Sequence, residues 1–150
     1  METKEIRDKL NDLMRLDVDA VHAYDEAIER IEDETVRTRL SEFRDDHQRH
    51  VDDLRSAISG MGGEPEEAKK DVKGHLIEGM TKLRSAMGDE QALRAMEQNE
   101  EITNRSYRDA MDWDVPSDIR DLLARNYADE QRHIAFIEER LSSGVGAEQR

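Results

Sequence analysis

The chain of 150 residues contains no cysteine. Disulfides, thiolate nucleophiles and cysteine-ligated zinc or iron–sulfur centres are therefore excluded. It holds only two prolines and eight glycines, so long helices can run without interruption. Hydrophobic residues are also scarce, at 35% against 40% charged, which demands a narrow and strictly patterned core. No run of roughly 18 apolar residues occurs, and the opening METKEIRDKL lacks the apolar segment of a signal peptide. A soluble, cytoplasmic protein is expected. Positive charge is in short supply as well. Against 37 acidic residues stand 23 basic ones, for a net charge of −14. Nucleic acid and anionic membranes would be repelled, and neither is expected as a partner.

What is present is helical periodicity. Apolar residues at 10, 13, 20, 21, 24, 27, 28 and 31 outline one face of a helix over 3–32. Asp33 suits the cap of a second helix, whose face runs through Val36, Leu40, Phe43, Val51, Leu54, Ile58 and Met61. GMGGEP stops it. Residues 66–87, with Leu76, Ile77, Met80 and Leu83, read as a short crossover helix that opens on the charged run EPEEAKKD. GDEQ begins a third main helix and DWDVPSD ends it, with Trp113 under the connecting turn and Pro116 in the first turn of the last helix. The tail over 143–150 is expected to fray. One all-α domain results: a four-helix bundle of two hairpins, 3–61 and 89–142, joined by the crossover.

The hairpins look like copies of one another. DDHQRHV and ADEQRHI place residues 47–50 and 130–133 at an offset of 83 positions. The same offset pairs Leu10 with Leu93, Tyr24 with Tyr107, Val36 with Ile119 and Leu40 with Leu123. A pseudo-twofold bundle follows, with equivalent residues facing one another across its axis.

Midway along each inner stripe, hydrocarbon gives way to metal-ligand chemistry. Helix one runs Leu13, Asp17, Ala20; helix two Phe43, His47, His50, Leu54; helix three Met96, Glu100, Thr103; helix four Asn126, Glu130, His133, Ile137. Unpartnered carboxylates and imidazoles cost several kcal/mol each in a core. One or two dications would turn that cost into binding energy, and residues at i and i+3 aim at a common point. Asp17, His47, His50, Glu100, Glu130 and His133 are the candidate ligands.

This pattern resembles the ferritin-like superfamily of rubrerythrins, bacterioferritins and small bacterial ferritin-like proteins. DEQRH on the last helix, an acidic residue on the helix before it and a related phrase on helix two carry the resemblance, over roughly residues 3–142. It implies two iron ions held by a Glu from each of helices one and three and a Glu-x-x-His pair from each of helices two and four. Glu100 would then be a terminal carboxylate, Glu130 a bridging one, and His50 and His133 the imidazole ligands. Two departures stand out. His47 replaces the second bridging Glu, and helix one offers the shorter Asp17. Relatives also place the terminal carboxylates a turn earlier, which would select Met14 and Glu97. Iron is the expected metal, with manganese or zinc as alternatives and one ion as an alternative to two. The implied activity is oxidation of Fe(II) by dioxygen or peroxide. The rival is a non-catalytic structural or stress-associated bundle with a degenerate or zinc-only site. Without cysteine there is no rubredoxin-like centre, and a homodimer is expected rather than a mineral-storing cage.

The remaining features carry two readings each. Asp46 and Asp129 could orient an imidazole or simply be solvated. Tyr24 and Tyr107 stand seven residues beyond Asp17 and Glu100, roughly 10.5 Å along their helices, and read more readily as core packing than as site residues. His22 and His75 find no match across the repeat and are assigned to the surface.

Overall fold

The computed structural model describes residues 1–66 and 80–144. Four long helices organise them: α1 (Thr3–Arg30), α2 (Glu34–Gly60), α3 (Asp89–Ala110) and α4 (Ser117–Ser143). The expected hairpins are present. α1 packs chiefly on α2 and α3 on α4, while α1 meets α3 and α2 meets α4 between them. This leaves α1 and α4 on one diagonal of the square, and α2 and α3 on the other.

The turns obey local chemistry. At the α1–α2 corner the Asp33 carboxylate accepts from the Val36 N–H at 3.0 Å, capping α2 as expected. The Asp89 carboxylate, at the start of α3, accepts from the backbone N–H groups of Glu32 and Asp33 at 2.8 and 3.0 Å. One buried side chain therefore ties the second hairpin to the corner of the first. α2 ends where Gly62 takes φ +77°, with the Gly63 N–H donating to the Ile58 carbonyl and the Gly62 N–H to that of Ser59. That pairing satisfies the last carbonyls of the helix, and the left-handed φ requires glycine. Pro116 sits one residue earlier than expected, at the cap position of α4 rather than inside its first turn.

The expected crossover over 66–87 falls largely outside the described residues, as do His75 and the tail beyond Gly144; residues 80–84 are helical, and Leu83 is buried in the core. Trp113 packs against the core at its end of the bundle, with the Lys9 ammonium 5.2 Å from its ring centre.

The apolar core comes in two parts. One contains Tyr24, Leu40, Phe43, Leu93, Met96 and Ile137; the other contains Leu10, Met14, Leu54, Tyr107, Ile119 and Leu123. Between them lies a layer of buried polar groups, drawn from all four helices. The hydrocarbon on either side holds the helices in register and shuts bulk water out of that layer.

Candidate metal centre

Each helix contributes to the polar layer at mid-height because its inner stripe continues through these positions at steps of three and four residues. α1 supplies Asp17, α2 His47 and His50, α3 Glu100, and α4 Glu130 and His133. The structure brings all six together, each no more than 1% exposed. Glu97, the alternative one turn earlier, is partly exposed and belongs to neither cluster of potential ligands. Met14 is core.

Potential donor atoms group into two sets of four, each with its atoms within 4.8 Å of one another. Asp17, His47, His50 and Glu130 form one; His47, Glu100, Glu130 and His133 form the other. His50 Nδ1 lies 3.1 Å from Asp17 Oδ1, and His133 Nδ1 lies 3.1 Å from Glu100 Oε1 and 3.2 Å from Glu130 Oε2. His47 is central. Its Nδ1 stands 2.6 Å from Asp17 Oδ1, and its Nε2 stands 3.2 Å from Glu100 Oε1 and 3.3 Å from Glu130 Oε2.

The outward ring nitrogens are also held, and by the opposite hairpin. His50 Nε2 meets Asp129 Oδ2 at 2.9 Å, and His133 Nε2 meets Asp46 Oδ2 at 2.8 Å. Arg49 and Arg132 each bind both of these aspartates, closing a crossed lattice of two acids and two guanidiniums over the imidazoles. Such partners fix which nitrogen of each ring points inward. Asp46 and Asp129 are thus imidazole-orienting residues rather than solvated ones. The arginines went unassigned in the sequence, although QRH occurs in both phrases.

The tyrosines are not merely packing residues. Tyr24 donates its hydroxyl proton to Glu100, and Tyr107 donates to Asp17 Oδ2 at 2.5 Å. The Tyr107 oxygen in turn accepts from Asn126 Nδ2 at 3.2 Å. Thr103 donates to Glu100 Oε2 at 3.1 Å, and Asn104 donates to the Glu130 backbone carbonyl at 3.0 Å. His22, expected on the surface, is exposed.

Electrostatically the layer is a dense lattice of opposite charges. Burial opposes ionisation of Asp17, but the His50 and His47 rings outweigh it and hold the carboxyl down at about 2. Burial likewise opposes ionisation of Glu100, and His133 and His47 overcome it. Desolvation would lower the histidines, yet facing carboxylates push His50 up to about 9 and His133 to about 10, with His47 raised well above its usual range. Glu130 differs: burial, reinforced by Glu100, raises it to about 7. The facing carboxylates thus favour the protonated form of the rings, so cations and protons compete for the same atoms.

Does this donor set suit a metal? Glu130 Oε1 is buried and has no hydrogen-bond partner among the described residues; His50 Nδ1 lies 4.0 Å away. A buried carboxylate oxygen without a hydrogen bond costs free energy that a bound cation would offset. Around it converge imidazole nitrogens and carboxylate oxygens, the mixture that iron, manganese and zinc accept. The set fits.

A model of the family described as a domain of unknown function (DUF2383) matches residues 5–113. The chain belongs to this family. The DUF2383 match takes in Asp17, His47, His50 and Glu100 and stops before α4, which carries Glu130 and His133. The fold is ferritin-like. A ferritin-like, diiron-carboxylate protein structure from Bacillus anthracis str. Ames superposes with a TM-score of 0.73 at 19% identity, covering 94% of this chain and 99% of that one. Rhodobacter capsulatus bacterioferritin, in a structure with a metal-free dinuclear site and haem iron, gives a TM-score of 0.69 at 19% identity, covering 93% of this chain and 84% of that one. No curated protein sequence matches significantly. Among the described residues, no helix is long and apolar enough to cross a membrane.

Proposed function

We propose that this DUF2383 protein binds divalent iron in its polar layer, two ions per chain, and oxidises Fe(II) with dioxygen or peroxide in the cytoplasm. The observation that carries the reading is the pair of four-residue donor sets sharing Glu130, whose Oε1 has no hydrogen-bond partner. Asp17 with His50 would hold one ion and Glu100 with His133 the other, with Glu130 reaching both. Two bound Fe(II) ions would supply two electrons, one each, enough with two protons to take one peroxide to two waters or one dioxygen to peroxide. The protein's own part is to exclude bulk water, fix the imidazoles through Asp46 and Asp129, and keep Asp17 and Glu100 ionised. Tyr24 and Tyr107 hold the terminal carboxylates in place through their hydroxyls. The ferritin-like neighbours support this reading through their fold, and the diiron description belongs to them.

A zinc-only site is the second reading, and the third imidazole, His47, favours it. The test is anaerobic loading with Fe(II) followed by oxygen or peroxide, monitored by oxygen uptake and near-ultraviolet absorption. Iron-dependent uptake with a new ligand-to-metal band supports the proposal. Tight Zn(II) binding without any reaction of the iron-loaded protein would favour the zinc reading instead.

A further inference from the structure

The repeat pairs His47 with Glu130, and the structure seats them side by side at the centre of the layer. The other four candidate ligands divide around this pair. Asp17 and His50 lie on one side, Glu100 and His133 on the other, and only His47 and Glu130 belong to both donor sets. The two central residues reach the two sides differently. Glu130 turns Oε1 toward His50 and Oε2 toward His133. His47 presents Nδ1 to Asp17 and Nε2 to Glu100. The lone pairs of a carboxylate can converge on two neighbouring ions or, through its outward pairs, reach two more distant ones, whereas the nitrogens of an imidazole can only point away from each other across the ring.

We propose that His47 is a bridging ligand that joins two metal ions through its two ring nitrogens, with Glu130 as the second bridge. The inference rests on the metal-binding reading above and deepens it. Each ion then receives one imidazole from His50 or His133, one terminal carboxylate, one oxygen of Glu130 and one nitrogen of His47. A ring that gives both nitrogens to metals carries no N–H proton; those protons leave to solvent as the ions enter. The buried layer then balances, because two dications offset three carboxylates and one ring anion, and net buried charge is what a dry core resists most. Separation is the consequence. With metal–nitrogen bonds of about 2.1 Å on each side of a ring roughly 2.2 Å across, the ions stand roughly 6 Å apart. Closely bridged two-metal sites hold theirs about 3.5–4 Å apart.

The experiment is anomalous diffraction from crystals of the full chain loaded with Zn(II), with X-ray absorption at the iron edge on Fe(II)-loaded protein in solution. Metal content is measured on the same samples. The expected result is two ions per chain, roughly 6 Å apart, and no short metal–metal scattering. In H47E the separation should contract to about 3.5–4 Å. If H47E does not fold, the distance in the unaltered protein decides alone. Two ions at the short distance, or a single ion per chain, would overturn the bridging role while leaving metal binding intact. A chain that takes up no metal would overturn both.

Discussion

Raising the pH from 7 to 9 should destabilise the metal-free protein while leaving the metal-loaded protein nearly unchanged. His50 and His133 are fully buried and ion-paired, with pKa values raised to about 9 and about 10. A histidine raised on folding contributes stability that is complete below its unfolded value of about 6.5 and lost as pH climbs through its folded value. In this window the folded protein binds more protons than the unfolded chain, so stability falls as pH rises. The limiting slope is about 1.4 kcal/mol per pH unit per proton. Between pH 7 and 9 each ring therefore loses roughly 2 kcal/mol, about 4 kcal/mol for the pair, a large part of the 5–15 kcal/mol typical of a domain. A bound cation replaces these protons and removes the dependence. Urea unfolding followed by circular dichroism at both pH values, with a chelator or with Zn(II), measures the difference. Metal-free stability that is flat or rising over this interval would refute the lattice of buried imidazolium–carboxylate pairs.

Tyr107→Phe deletes the hydroxyl that serves both Asp17 and Asn126 and should cost about 1–3 kcal/mol, read as a lowered thermal midpoint. Asp129→Asn weakens the grip on His50 Nε2 and should reduce metal affinity about 10–100-fold without changing the saturating stoichiometry, as measured by competition with a chromophoric chelator. His133→Ala should lower metal content by half or more, whereas His22→Ala, on an exposed position, should leave it unchanged; equal losses in a metal analysis would mean that the buried layer is not the site.

Much of this architecture is legible in one sequence because two independent signals coincide. The inner stripes give four helices, and at mid-length each stripe exchanges hydrocarbon for a carboxylate or an imidazole. The 83-residue offset then pairs Asp17 with Glu100 and His50 with His133, favouring Glu100 over Glu97. Contacts between hairpins are much harder to read. Two helical turns separate Tyr24 from Asp17 on their own helix, which argues against contact, yet its partner is Glu100 across the bundle. Tyr107 reaches Asp17 by the same exchange. Asp46 and Asp129 likewise serve the histidine of the opposite hairpin, so neither their own helix nor local spacing announces the role. The repeat held the clue: a pseudo-twofold axis makes the tyrosine–carboxylate and histidine–aspartate contacts across it each occur twice. The orientation of His47 is different again, since which nitrogen faces which carboxylate depends on a side-chain rotation that no pattern of residue types encodes.

The buried polar layer is proposed as a metal centre. The most direct test of that assignment is the number of ions bound at saturation, from anaerobic Fe(II) titration of chelator-treated protein with metal analysis after gel filtration. Two ions per chain are expected, retained through the column and reduced by half or more in His133→Ala. Protein that emerges metal-free, with its thermal midpoint unmoved by Fe(II), Mn(II) or Zn(II), would contradict the assignment.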